Sequence, residues 1–181
     1  MPVGALIQLS TSVDWAYPWL MSTKKNEPRW LGPKERKAWR AYIQTSRRIW
    51  DAMETDLTPH DLSLSDYEIL VLLSEAPERQ IRMSELAESA LISKSRLSHR
   101  IKAMEKAGWV SRKVCEEDKR GSFAVMTDKG WKAIVKAAPD HVESIRTRFL
   151  DQLSAKDQED LARIFEKVSA ELRKQFSKEC D

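Results

Sequence analysis

A chain of 181 residues is long enough for one ordinary domain with an extension. Five glycines, less than half the usual share, disfavour Gly-rich phosphate loops and turn-heavy all-β folds, and two cysteines are too few for a disulfide scaffold. With 41% hydrophobic and 33% charged residues the chain is not globally disordered, and a net charge of +3 names no partner by itself. The longest unbroken apolar run, Ile69 to Leu73, is far short of the roughly 18 residues that a membrane span needs. Residues 1–21 lack a basic start and contain Asp14 and Pro18, unlike a signal peptide. A soluble, cytoplasmic protein without membrane contact is expected.

Residues 1–32 hold Trp15, Trp19 and Trp30 among the breakers Pro2, Pro18 and Pro28. They read as an arm, partly disordered or docked through its aromatics, unless the native chain begins at Met21. Pro33 opens a helical pattern in which Trp39, Tyr42, Ile43, Ser46, Ile49, Trp50 and Met53 recur at helical spacing. Thr58-Pro59-His60-Asp61 ends it. Ser65 with Glu68 predicts a capping box for the next helix, which carries Tyr67, Leu70, Val71 and Leu73 and stops near Pro77. A short helix follows over about Ser84 to Ser89. Ser93 caps another, running to Ala107 and closed by Gly108.

The period then changes. Residues 109–115 and 122–126 alternate as strands do, around the polar tip Glu116-Glu-Asp-Lys-Arg-Gly121. Thr127-Asp128 starts a helix with Trp131, Ile134, Val135, Ala138, Val142, Ile145 and Phe149 on one face and a kink expected at Pro139. Ser154 caps a last helix bearing Leu161, Ile164, Phe165, Val168 and Leu172. Trp39, Trp50, Trp109 and Trp131 sit at periodic apolar positions and are expected in a core.

Helix, turn, helix and β-hairpin is the order of a winged helix-turn-helix in a mainly α fold. The helix after Ser93 has an apolar back of Leu97, Ile101 and Met104. Its front presents Ser95, His99, Lys102 and Lys106, flanked by Arg96, Ser98 and Arg100. Short hydroxyls and long cations suit a helix laid in the major groove. From Ser93 to Arg120 there are nine Lys or Arg and four Asp or Glu, so this segment is +5 and the rest of the chain is −2. Charge gathered on one motif is the footprint of a nucleic-acid binder.

At these residues the chain resembles the MarR family of dimeric winged-helix transcription regulators. Met104-Glu105-Lys106-Ala-Gly108-Trp109-Val110-Ser-Arg112 is similar to the family's Leu-Glu-x-x-Gly-Leu-Val-x-Arg. Asp118-Lys-Arg120-Gly121 is similar to its wing motif, Met126-Thr127-Asp-Lys-Gly130 to its Leu-Thr-x-x-Gly, and Ser84-Glu85-Leu86-Ala87 to the first helix of its turn motif. The resemblance spans about residues 34–178. It implies a DNA-binding domain over 62–127 and dimerisation helices over 33–57 and 128–178. Ser93, Ser95, Arg96, Ser98, His99, Arg100, Lys102, Arg112, Lys119 and Arg120 are the expected DNA-binding residues. Arg120 would enter the minor groove, Asp118 would hold it, and Arg112 would grip phosphate or brace the wing.

The resemblance further implies a homodimer on a near-palindromic double-stranded operator, most simply a repressor released by a small aromatic effector. Tyr42, Trp50 and Tyr67 would line the effector pocket and Arg48 would meet a carboxylate. One alternative is a ligand-independent regulator, or one under redox control through Cys115 or Cys180. Another, of a different class, is a helical protein-interaction adaptor. No cofactor is expected; His60, His99 and His141 are too far apart in sequence to suggest a metal site, and no catalytic motif suggests an enzyme.

Overall fold

In the computed structural model the residues described are 28–114 and 121–178, with side chains to 174. The chain divides into two compact units, one ending at Arg40 and one beginning at Ala41. The elements are α1 (Pro33–Leu57), a 3₁₀ turn (Thr58–His60), α2 (Leu64–Glu75), β1 (Gln80–Arg82), α3 (Met83–Ser89), α4 (Lys94–Ala107), β2 (Val110–Val114), β3 (Ser122–Met126), α5 (Asp128–Arg148) and α6 (Ala155–Lys178). The fold is mostly helical with a small antiparallel sheet, the winged helix-turn-helix expected from the sequence.

Local chemistry explains most boundaries. At α2 the capping box belongs to Ser63 and Asp66, not to Ser65 and Glu68 as the sequence suggested. Ser63 Oγ accepts from Asp66 N at 3.1 Å, and the Asp66 carboxylate accepts from the Ser63 hydroxyl at 2.6 Å. The helix starts earlier because Leu64 is buried in its first turn and Glu54 accepts from Leu64 N at 2.7 Å. The cap of α4 is Ser93 and its end is Gly108 at φ 79°, the left-handed geometry that glycine adopts without penalty. Ser154 and Asp157 form a reciprocal cap at the start of α6.

The sheet has three strands in the order β1-β3-β2, one more than the expected hairpin. β1 has only three residues and no alternation to betray it; its order comes from pairing with β3, Ile81 opposite Ala124. On the other edge Val110 faces Met126 and Arg112 faces Ala124. Leu70 and Leu73 of α2, Leu86 of α3, and Leu97 and Ile101 of α4 form the centre of one apolar core, closed by Ala124 of β3 and Ala137 of α5.

α5 buries only part of the side expected: Ile134 lies inward as the sequence suggested and Ala138, Ile145 and Phe149 are half-buried, but the rest of the buried side is different. Gly130, Ile134, Ala137, His141 and Ser144 face inward, while Trp131, Val135 and Val142 are exposed. Small residues let the helix approach closely, and the large apolar ones remain outside. The helix continues through Pro139 without interruption. Trp39, Trp50 and Trp131 are likewise exposed rather than in the core; Trp109 alone of the four packs partly against it. Arg148 reaches from α5 to Asp56 of α1.

His141 is buried against the Tyr67 ring, centroids 4.2 Å apart, and its Nδ1 has no hydrogen-bond partner among the described residues. Burial lowers its pKa by disfavouring the charged ring. The folded form therefore binds this proton more weakly than the unfolded chain. Stability is complete above the ordinary imidazole range and declines as pH falls through and below it. Urea unfolding at about pH 7.5 and about pH 5.5 should show this loss, and His141→Phe should reduce it.

Candidate nucleic-acid interface

The turn between α3 and α4 is tied by Ile92 N donating to Ala87 O at 3.0 Å, with Leu91 at φ 54°. Ser93 then receives Arg96 N at 3.3 Å and lies 3.1 Å from the Ser95 hydroxyl. Beyond this cap the buried positions of α4 are Leu97, Ile101 and Met104. Ser95, Arg96, Ser98, His99, Lys102 and Lys106 are exposed, so the amphipathic division expected from the sequence is present.

The far end of α4 is held by three groups. Lys129 Nζ donates to Ala107 O at 2.7 Å, a cation at the negative end of the helix dipole. Thr127 Oγ1 donates to Gly108 O at 2.7 Å, and Thr127 N to Trp109 O at 3.0 Å. Thr127 also caps α5 by accepting from Gly130 N at 3.0 Å. A side chain at Gly130 would overlap the Trp109 carbonyl oxygen. These contacts give the Leu-Thr-x-x-Gly resemblance a physical content: the motif joins the sheet and α5 to the end of α4.

Arg112 of β2 donates to Ser98 O at 2.9 Å and pairs with Glu105 at 3.3 Å. It pins β2 beside α4. Ser95, Ser98, His99, Lys102, Glu105 and Arg112 line a depression of about 570 Å³. A second, of about 330 Å³, lies between the start of α3, α4 and the sheet. It is lined by Arg82, Ser84 and Lys94, which are absent from the expected DNA-binding residues. Lys94 was legible as part of the basic segment. Arg82 could not be placed without β1; its guanidinium lies 5.2 Å from the Phe123 ring centre.

Arg100 is placed differently from the other cations of α4. It donates to Ser63 Oγ at 3.1 Å and lies 3.4 Å from Asp66, so it joins α4 to the cap of α2. Asp118, Lys119 and Arg120 lie outside the described residues, as do Cys115 and Cys180.

The four expected effector residues are not gathered at one place. Tyr42 packs on Phe165 with ring centres 5.5 Å apart, and Arg48 and Trp50 are exposed on α1. Tyr67 alone lines a cavity of about 360 Å³, together with Met53, Leu64, Glu68, Leu91 and His141 among others. Burial raises the pKa of both Tyr67 and Glu68. His60 Nε2 lies 2.7 Å from Asp140, and among the described residues no three His, Cys, Asp or Glu gather as metal ligands.

Residues 62–122 match the MarR family model. The regulator PecS of Dickeya dadantii is 31% identical over 97 residues, covering 52% of this chain and 58% of its own length. AbsC, a MarR family transcriptional regulator from Streptomyces coelicolor, is similar over 81% of this chain and 99% of its own, with 44% identity and a TM-score of 0.79. Sco3205, a MarR family regulator from the same organism solved in complex with DNA, shares 40% identity over 78% of this chain and 90% of its own, with a TM-score of 0.77.

Proposed function

Because this chain belongs to the MarR family of transcriptional regulators, we propose that it acts as a homodimeric repressor on a near-palindromic double-stranded DNA site and is released by a small ligand. The observation that carries the DNA reading is α4 itself. Its Arg96, His99, Lys102 and Lys106 are exposed while both ends and the adjacent strand are tied down, as a helix entering the major groove requires. Such preset geometry lets base contacts form without ordering the reader first. Family members are transcription regulators, not enzymes.

In this reading Ser95, Arg96, Ser98 and His99, in the first half of α4, meet base edges. Lys102 and Lys106 meet phosphate, with Arg82 and Lys94 on the flanking backbone. Arg112 and Arg100 act chiefly as braces. Arg120 reads the minor groove, with Asp118 and Lys119 beside it in sequence. The two-fold partner is supplied by α1, α5 and α6, whose large apolar residues are exposed in the single chain.

Selection of binding sites from random duplex DNA tests the reading. An enriched near-palindrome with a steep salt dependence supports it, and unselective or salt-independent retention sinks it. Arg96→Ala should alter the preferred bases. Lys106→Ala should weaken all sequences alike and lower the salt slope by about one. Identical shifts of preference in both variants would misplace the helix. Arg120→Ala should cost about 1–3 kcal/mol of specific binding with the dimer intact, measured by fluorescence anisotropy.

A further inference from the structure

The cavity beside α2 does not have the chemistry that an aromatic acid needs. Its wall sets the apolar side chains of Val71 and Leu72 and the Tyr67 ring beside two ionisable groups, Glu68 and His141. Among the described residues no Lys or Arg lines it and no side chain pairs with the Glu68 carboxylate. His141 supplies little counter-charge, since burial favours its neutral ring. The Glu68 carboxylate lacks compensation for the water it has lost, so burial raises its pKa and a cation beside it would hold it ionised.

We propose that this cavity binds a monovalent organic cation with a flat apolar body, its charge at Glu68 and its body against Val71, Leu72 and Tyr67. A cation meets the unpaired charge and offsets its desolvation, and the Tyr67 ring adds a π-face for it. An anion would be repelled by the Glu68 carboxylate and would meet no Lys or Arg among the described lining residues. The volume of about 360 Å³ is near the lower end for ligand sites and suits one or two fused rings.

The cavity is also placed to act on α4. Leu91, on its wall, is 91% exposed and held at φ 54°, two residues before the Ser93 cap. A ligand body that covers Leu91 gains contact only while the turn stands where it does. That is the differential affinity by which a ligand biases a conformational equilibrium. This effect on DNA rests on the ligand-released reading above; the binding does not.

Three probes with the same ring separate the cases: naphthylmethylammonium, naphthylmethanol and naphthoate, titrated calorimetrically into the full chain. The ammonium should bind at least about tenfold more tightly than naphthoate. Glu68→Gln should lower the ammonium affinity by about tenfold and leave the alcohol unchanged, which also shows the cavity intact. Equal or tighter binding of naphthoate, an unchanged ammonium affinity in Glu68→Gln, or no ammonium binding up to millimolar concentration each overturns the proposal. Anisotropy with a selected duplex then tests the DNA reading separately. Glu68-dependent ammonium binding that leaves DNA affinity unchanged keeps the site and removes the ligand-release reading.

Discussion

Phe165→Glu is expected to split the proposed dimer and abolish tight DNA binding. Ile164, Phe165, Val168 and Leu172 leave 41–48% of their surface open along α6, and Phe165 carries the Tyr42 ring beside it. Apolar stripes of this kind left open on a single chain mark an interface. A carboxylate placed there is buried without a partner, at about 3–5 kcal/mol. In a two-fold interface each protomer contributes one, so the penalty counts twice. Two linked half-sites bind far more tightly than one, so a monomer should lose at least about 100-fold in operator affinity. Sedimentation at micromolar concentration, with circular dichroism to verify the fold, checks the first effect; anisotropy checks the second. A dimer of unchanged DNA affinity would place the interface elsewhere.

Gly130→Ala should be among the most destabilising single changes available. In an open helix this exchange would stabilise by about 1 kcal/mol, because alanine is the better helix former. Here the new methyl overlaps the Trp109 carbonyl oxygen and crowds Met126 Cγ at 3.1 Å. The oxygen already accepts from Thr127 N and cannot withdraw without losing that bond. Forced overpacking of this kind outweighs propensity, leaving a net loss of about 3 kcal/mol. For a chain of this size that lowers Tm by about 6–12 °C, readable by calorimetry. An unchanged or raised Tm would show that α5 can slide away from the end of α4 freely.

How far the sequence could be read depended on which kind of contact decides each element. α4 was legible from end to end because its signals are local: a capping hydroxyl, an apolar back at helical spacing and a terminal glycine. β1 was not, since three residues acquire strand geometry only by pairing with β3. Of the inward side of α5 only Ile134 was legible, because close packing selects Gly130, Ala137 and Ser144 there, which carry little hydrophobic signal. The outer stripe of α5 and those of α1 and α6 have the periodicity of a core without being one in the single chain.

At the site, residue type revealed the cations but not their tasks. Arg96, Arg100 and Arg112 are equivalent as charges. Only the approach of Asp66 to one and of Ser98 and Glu105 to another separates braces from an open donor. Glu68 was visible as a capping candidate and not as the acidic wall of a cavity, because its apolar neighbours come from other turns and helices.

The join at the end of α4 has a mechanical consequence. Ala107, Gly108 and Trp109 each give their carbonyl oxygen to a group from Thr127 or Lys129. Helix α4, the returning strand and the first turn of α5 are therefore riveted at a single point. A twist applied along α5 cannot be absorbed by bending at its root; it must turn α4 with it. The shaft and the reading head swing as one lever, and the compliance needed to change the spacing between two such heads has to lie elsewhere.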